Sequence, residues 1–332
     1  MPTTGKRLKV WDGELVNRRW QVEQGEDGLR LDVCLTRRLD GIGRAGAKRL
    51  IDEGGVLVND RRVRKSYSVS EGDRIEVVGQ WFASEFEPIA APRRSLPIAY
   101  EDAHVVVFEK PVAMPSVPLK PTDTNTVVNE LLAFDGKAKG FGYRPSEAGL
   151  LHRLDTQTSG LIMASRTAAS FRFYRDEFQR DRVEKYYRLI CEGHVRAPQT
   201  IDLALKSAGE GNRKMKAVDE LLGDAEALDA TTEVTAVRRG RRKADGAEFS
   251  LVDAMLRSGR RHQIRAHFAA IGHPLVGDDV YGAKESLAPH HLLHATALRF
   301  LRFDADEFVH VRSDDPTSFQ EFLLDCDLDA GD

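Results

Sequence analysis

Chemistry in this chain could begin at a lone carboxylate set between two apolar stretches. In Gly149-Leu150-Leu151-His152-Arg153-Leu154-Asp155-Thr156-Gln157-Thr158-Ser159-Gly160-Leu161 an apolar run leads to Asp155. Small hydroxylated residues and a glycine follow, and Leu161-Ile162-Met163 is apolar again. The pattern predicts a turn presenting one acid between two strands. Taken alone, such an acid is more commonly a turn aspartate capping its own loop. Glu184–Gly193 reads as a strand with alternating faces, so one of Tyr186 and Tyr187 points inward, and a buried core tyrosine is the usual explanation. A third block, Gly259-Arg260-Arg261-His262-Gln263-Ile264-Arg265-Ala266-His267, precedes Gly272-His273-Pro274-Leu275-Val276-Gly277-Asp278-Asp279-Val280-Tyr281-Gly282. His262 and His267 are five apart, off the spacing that places two ligands on one helical face, so structural hydrogen bonding suits them better than zinc. His290, His291 and His294 include a pair three apart, but no carboxylate or thiol is placed to complete a set. No metal is expected.

These blocks need a scaffold, and 332 residues are enough for two folding units. Leu31, Cys34, Leu35 and Leu39, then Ala47, Leu50 and Ile51 after a Gly41–Gly43 break, recur at helical spacing. Val56–Val58 reads as a strand, Asn59-Asp60 as a tight turn, and Ile75 and Val77 as an alternating strand. This small unit is expected over 24–80, after a leader, 1–23. Pro88, Pro92 and Pro97 mark an extended linker, 81–95. From 96 to 332 strands such as Val105–Phe108, Tyr187–Cys191 and Phe249–Met255 mix with helical stretches such as Ala168–Phe178 and Gln263–Ala270, which describes one α+β domain without repeats.

Composition removes several classes. Apolar residues make up 41% and charged residues 30%, as in a globular protein. No apolar run reaches the roughly 18 residues of a membrane helix, and no apolar block follows the basic start, so no membrane is expected and the cytoplasm is the expected compartment. Cys34, Cys191 and Cys326 lie too far apart for a disulfide framework or a metal knuckle. Net charge is only -3, but it is segregated: residues 28–78 hold eleven Lys/Arg against eight Asp/Glu, whereas 304–332 hold ten acids and one arginine. Phe303, Phe308, Phe319 and Phe322 suggest that part of this acidic end packs, with 325–332 expected to be mobile. Arg37, Arg38, Arg44, Lys48 and Arg49 lie off the apolar stripes of the first two helices, and Arg61, Arg62, Arg64 and Lys65 follow the turn. Together they could form one positive face for phosphates, or simply a solvated surface.

The order of elements favours the former. LRLDVCLTRRLDGIGRAGAKRLIDEGGVLVNDRRVRKSYSVSEGDRIEV resembles the RNA-binding domain of small-subunit ribosomal protein S-four, the alpha-L motif, across nearly its whole length. In that family the helices and the turn dock on structured RNA by shape and backbone. Further on, HRLDTQTSG, KYYRLICEG and GRRHQIRAHFAAIGHPLVGDDVYG, with Leu293-His294-Ala295 after them, resemble the motifs of the RluA-type pseudouridine synthases that modify ribosomal and transfer RNA. The likeness runs from about Leu96 to Leu298. It implies a mixed, mainly antiparallel-sheet catalytic domain, an RNA partner, ribosomal or transfer, and no cofactor; a monomer is the expected state, although the sequence does not specify it. It also implies that Asp155 is the catalytic aspartate, that Tyr187 packs on the target base, that Arg265 pairs with the aspartate and that Ile264 lines the pocket. His152, Arg153, Thr158 and Lys110 are expected at the substrate, and Arg37, Arg38, Arg44, Lys48, Arg61 and Arg62 at the RNA. Two positions depart from the family pattern: Lys110-Pro111-Val112-Ala113 has alanine where a glycine is common, and Leu189 stands where alanine is usual.

Making pseudouridine breaks the bond from ribose to the base nitrogen and rejoins the base through carbon, an isomerisation that needs no external group. The base must leave its stack, at a cost of a few kcal/mol, offset by stacking and backbone contacts. The carboxylate acts as nucleophile or stabilises the cationic sugar and helps remove a proton. It must be ionised, and an arginine within a few ångströms favours the charged form. Two other classes fit parts of the pattern: a non-catalytic RNA-binding factor on a decayed synthase domain, and a base-removing glycosidase, although no second acid is marked for the latter. Tritium release from carbon five of uracil, free uracil, or tight binding without either would separate the three.

Overall fold

The structure, a computed structural model, describes residues 16–39, 44–52, 54–64, 66–79, 86–208, 214–218, 227–283 and 287–329, with the backbone alone at 16–18, 44–45, 49 and 78–79. For the main part, two compact units divide between Ile89 and Ala90.

The N-terminal unit contains β1 (Val16–Gln21), α1 (Leu31–Arg38), α2 (Arg44–Asp52), β2 (Val56–Val58), β3 (Arg61–Arg62) and β4 (Arg74–Gly79). The apolar stripes of both helices, Leu31, Cys34 and Leu35 with Ala47, Leu50 and Ile51, close over Val56, Val58, Ile75 and Val77 of the sheet. Asn59 and Asp60, both left-handed at φ 50° and 65°, make the tight turn that pairs β2 with β3. One expectation fails: part of the leader is structural. Val16–Gln21 pairs antiparallel with β4. Its Asn17-Arg18-Arg19 stretch shows no apolar alternation, so only the partner strand reveals it.

The second unit contains β5 (Ile98–Glu101), β6 (Val105–Lys110), α3 (Val127–Phe134), β7 (Ser159–Ser165), α4 (Ala168–Gln179), β8 (Glu184–Glu192), β9 (Gln199–Asp202), β10 (Ala204–Ala208) and β11 (Lys214–Val218). There follow β12 (Thr231–Arg242), β13 (Glu248–Leu256), α5 (Gln263–Ala270), β14 (Leu293–Leu301), β15 (Phe308–Arg312), α6 (Thr317–Leu324) and β16 (Cys326–Leu328). One large sheet runs β16-β12-β13-β8-β14-β7-β6-β5, with β15 beside β14 and β9 beside β12. All its described pairings are antiparallel except β7 with β14. Alternation sorts side chains to two faces. Val106, Phe108, Ile162 and Ala164 meet α3 and α5 through Leu131, Ile264 and Phe268, while Val105, Val107, Leu161 and Met163 meet Phe171 and Tyr174 of α4. With both faces covered, β7 is buried throughout.

Part of the acidic C-terminus packs, as its phenylalanines suggest, and part of the stretch expected to be mobile is ordered as well. Phe319 of α6 is buried against Ile190, Phe249 and Leu251, which contributes roughly 1.5–3 kcal/mol for a side chain of this size. Cys326–Leu328, expected to be mobile, pairs with Gly240–Arg242 as an edge strand. Local charge suggests a loose tail, and a long-range backbone pairing overrides it. Residues 330–332 lie outside the described ones. Among the described residues no helix is long and apolar enough to cross a membrane.

Candidate active site

Three elements converge near the middle of the large sheet. Asp155 sits in the loop entering β7, Tyr187 lies on β8, and α5 supplies Ile264 and Arg265. Strand β14 runs between β7 and β8, and Ala295 sits opposite both Gly160 and Tyr187. Gly160 has φ +107°, and a Cβ there would lie 2.3 Å from the Ala295 carbonyl oxygen. The glycine of the HRLDTQTSG block thus lets two strands approach directly behind the aspartate.

Arg265 Nη1 donates to Asp155 Oδ2 at 3.0 Å. The planar fork, however, grips a different acid: Arg265 Nε and Nη2 donate to Asp278 Oδ2 and Oδ1 at 2.7 and 2.8 Å. Arg265 therefore pairs with Asp155 as the resemblance implies, but only through one N–H of Nη1, because the fork is occupied by Asp278. Side-chain exposures of 6% for Arg265 and 24% for Asp155 separate a buried support from an acid partly open to solvent. Burial would lower the Arg265 pKa, but Asp278 and Asp155 outweigh it and raise it. Among the described residues Asp155 Oδ1 accepts no hydrogen bond, so one oxygen is anchored and the other is open.

Tyr187 is 7% exposed and Ile264 3%. Both belong to the same apolar cluster as Leu154 and Ala254. Burial, then the negative charge of Asp155, pushes the Tyr187 phenol well up, so it stays protonated. An aromatic face beside a carboxylate in a largely dry wall can stack a planar base and present an anion to its sugar.

Several residues expected at the substrate turn inward instead. Lys110 Nζ donates to the carbonyls of Pro111, Met114 and Thr156 at 2.9, 2.9 and 3.1 Å, tying the Lys110–Met114 turn to the residue after Asp155. Burial pushes its pKa down to about 8, against the pull of Asp155. Thr158 bonds His291 Nε2 at 2.9 Å through its hydroxyl, and its N–H donates to the Asp155 carbonyl at 3.0 Å. His152 Nε2 accepts from the Met163 N–H at 3.0 Å. These three brace the loop. Arg153 keeps an exposed guanidinium, 57% accessible, two residues before Asp155.

In the N-terminal unit Arg37, Arg61 and Arg62 are exposed and Lys48 is half-buried. Arg38 is engaged by Glu26 at 2.7 and 2.8 Å, an internal clasp that takes it out of the expected RNA face. The side chains of Arg44, Arg49 and Lys65 lie outside the described residues. Among the described residues no three His, Cys, Asp or Glu come together as a metal site requires.

The RNA pseudouridylate synthase model matches residues 104–270. An RNA pseudouridine synthase of Aquifex aeolicus is 34% identical over 276 residues, 81% of this chain and 82% of that protein. The chain belongs to the RNA pseudouridine synthase family. It is an isomerase that acts on RNA. A ribosomal large subunit pseudouridine synthase D of Zymomonas mobilis is 30% identical over 311 residues, covering 91% of this chain and 90% of that one. The solved structure of human RNA pseudouridylate synthase domain containing 1 matches with TM-score 0.53 at 27% identity, over 67% of this chain and 84% of that one. The S4 domain model matches residues 29–75, so the resemblances read from both halves of the sequence hold, as does the mainly antiparallel α+β catalytic domain.

Four residues around the candidate site escape the sequence reading: Asp278, Tyr281, His262 and His291. All lie in or near quoted blocks, but only the folded chain shows which atoms they meet. An acid thirteen residues after an arginine has no spacing that marks it.

Proposed function

We propose that the protein isomerises uridines of ribosomal RNA. The S4-type unit, which includes β1, would grip structured RNA, the 81–95 linker would join it to the catalytic domain, and 96–332 would carry the chemistry. Asp155 acts on the sugar through Oδ1, Arg265 holds it through Oδ2, Tyr187 stacks on the extruded base, and Ile264 closes the wall. The observation that carries this reading is the anchored carboxylate, one oxygen fixed at 3.0 Å by Arg265 and the other open, beside a buried tyrosine. During the reaction the N1–C1′ bond breaks, C5–C1′ forms, C5 releases a proton and N1 gains one. Nothing enters or leaves overall, so neither metal nor cofactor is required, and the chain works as a cytoplasmic monomer. The ribosomal target is supported by the Zymomonas relative's designation as a large-subunit enzyme.

The test is tritium release from transcripts of large-subunit ribosomal RNA and of transfer RNA labelled at C5 of uracil, followed by mapping of the modified position. Asp155→Asn should lose turnover by at least about 10³-fold, with melting temperature and RNA affinity unchanged. An active Asn variant rejects the assignment, and turnover on transfer RNA alone redirects the substrate.

A further inference from the structure

His262 is a polar side chain beside Asp155 that the assignment above does not use. Its Nε2 lies 3.8 Å from Asp155 Oδ2, too far for a hydrogen bond but close enough for one oxygen atom to touch both. The other nitrogen is engaged. Nδ1 is 3.0 Å from Tyr281 Oη, which already accepts from the Met215 N–H at 2.8 Å. Among the described residues the phenol's own hydrogen then has Nδ1 as its acceptor, which leaves the imidazole proton on Nε2. The nitrogen facing Asp155 is therefore a donor. Burial lowers the His262 pKa, with Asp155 opposing, so the ring is neutral in ordinary buffer.

The backbone points the same way. His262 is left-handed at φ 53° in the N-cap position of α5, yet its side chain makes no cap hydrogen bond. A non-glycine residue is costly there. Helix capping does not explain a histidine at this position, whereas the direction of its imidazole does.

A donor and an acceptor 3.8 Å apart suit a group that is both, and RNA carries such a group on the carbon beside the glycosidic carbon. We propose that His262 and Asp155 form a clip for the 2′-hydroxyl of the target ribose, Nε2–H donating to it and Oδ2 accepting its hydrogen. The clip rests on the placement of Asp155 at the sugar given above. It leaves Oδ1 free for C1′ and makes His262 a residue by which the site distinguishes ribose from deoxyribose at the reacting nucleotide. No bond to His262 is made or broken.

The experiment uses the full chain and synthetic RNA fragments spanning a uridine that the wild type modifies, with uridine or 2′-deoxyuridine at that single position. Wild type should favour the ribonucleotide by roughly 10–100-fold in kcat/KM. His262→Phe should cut that preference by about tenfold. His262→Asn, which suits the left-handed backbone but is too short to reach, and Tyr281→Phe, which releases the tautomer and keeps the ring, should move the ratio in the same direction. A merely structural defect slows both substrates alike and leaves the ratio where it was. An unchanged ratio in all three variants, or a wild type indifferent to the hydroxyl, overturns the clip and leaves the synthase activity standing. A wild type that converts no uridine in any transcript overturns the activity assignment and the clip with it.

Discussion

Arg265 serves two carboxylates, and the division of labour between them decides what its replacement does. Asp278 has a side chain 0% exposed and Arg265 one 6% exposed, so each charge depends on the other, and removing one partner of such a pair costs about 3–5 kcal/mol. Lysine keeps the charge but cannot bond both oxygens of Asp278 and also reach Asp155. Arg265→Lys is therefore expected to lower kcat by roughly 10²–10³-fold and to lower the melting temperature as well. Tritium release and thermal melts on the same preparation check both effects, and full activity in the lysine variant rejects the bridge. Asp278→Asn should lower kcat too, although the Asp278 side chain is fully buried. At this scale the sequence exposes Asp155, Tyr187 and Arg265 as types in a pattern. It does not expose that the arginine is shared, because the partner comes from a loop whose position depends on how α5 packs.

Two elements carry the loop, and each contains one residue at a conformational limit. Where β7 meets β14 in parallel, Gly160 lies at φ +107° against the Ala295 backbone. Gly160→Ala would need both a backbone change and a separation of the strands, a loss of more than about 2 kcal/mol, to be measured by equilibrium denaturation. A variant as stable as the wild type would show that the strands can part there without penalty. In the turn braced by Lys110, Ala113 is held at φ 61°, at the position where the family commonly has glycine. Ala113→Gly removes about 1–2 kcal/mol of left-handed strain but gives the unfolded chain about 0.5–1 kcal/mol of extra freedom. The expected outcome is a gain of about 1 kcal/mol or less with turnover intact, and a destabilised variant contradicts it. The departure was visible in the sequence, while its backbone conformation was visible only in the folded turn.

Across the whole molecule, buried neutral histidines tie the loop and the C-terminus to the sheet. His291 bonds Thr158, while His294 bonds Ser159 at 2.8 Å and Ser313 at 3.1 Å. Burial is the leading cause that pushes both to about 4, from an ordinary value of 6.5. Below pH 6.5 the unfolded chain therefore binds protons that the folded chain refuses. Their contribution is complete above pH 6.5 and declines as the pH falls toward 4, by up to about 1.4 kcal/mol per pH unit for each histidine. Melting temperatures from pH 8 to pH 5 should fall accordingly, and His291→Gln, which keeps a partner for Thr158, should flatten the slope. An identical slope in that variant rejects the link. By itself the sequence determined the two-unit plan, the family and the helices and central strands with regular apolar spacing, and through its motifs it proposed the trio Asp155, Tyr187 and Arg265, because local periodicity and motif order are properties of adjacent residues. Only the tertiary structure decided that Val16–Gln21 and Cys326–Leu328 are strands, that Lys110, His152, Thr158 and Arg38 face inward, that Asp278 shares Arg265 with Asp155, and that His262 lies beside Asp155. Those outcomes depend on contacts between distant segments, and the spacing of residues along one segment carries no record of what packs against it.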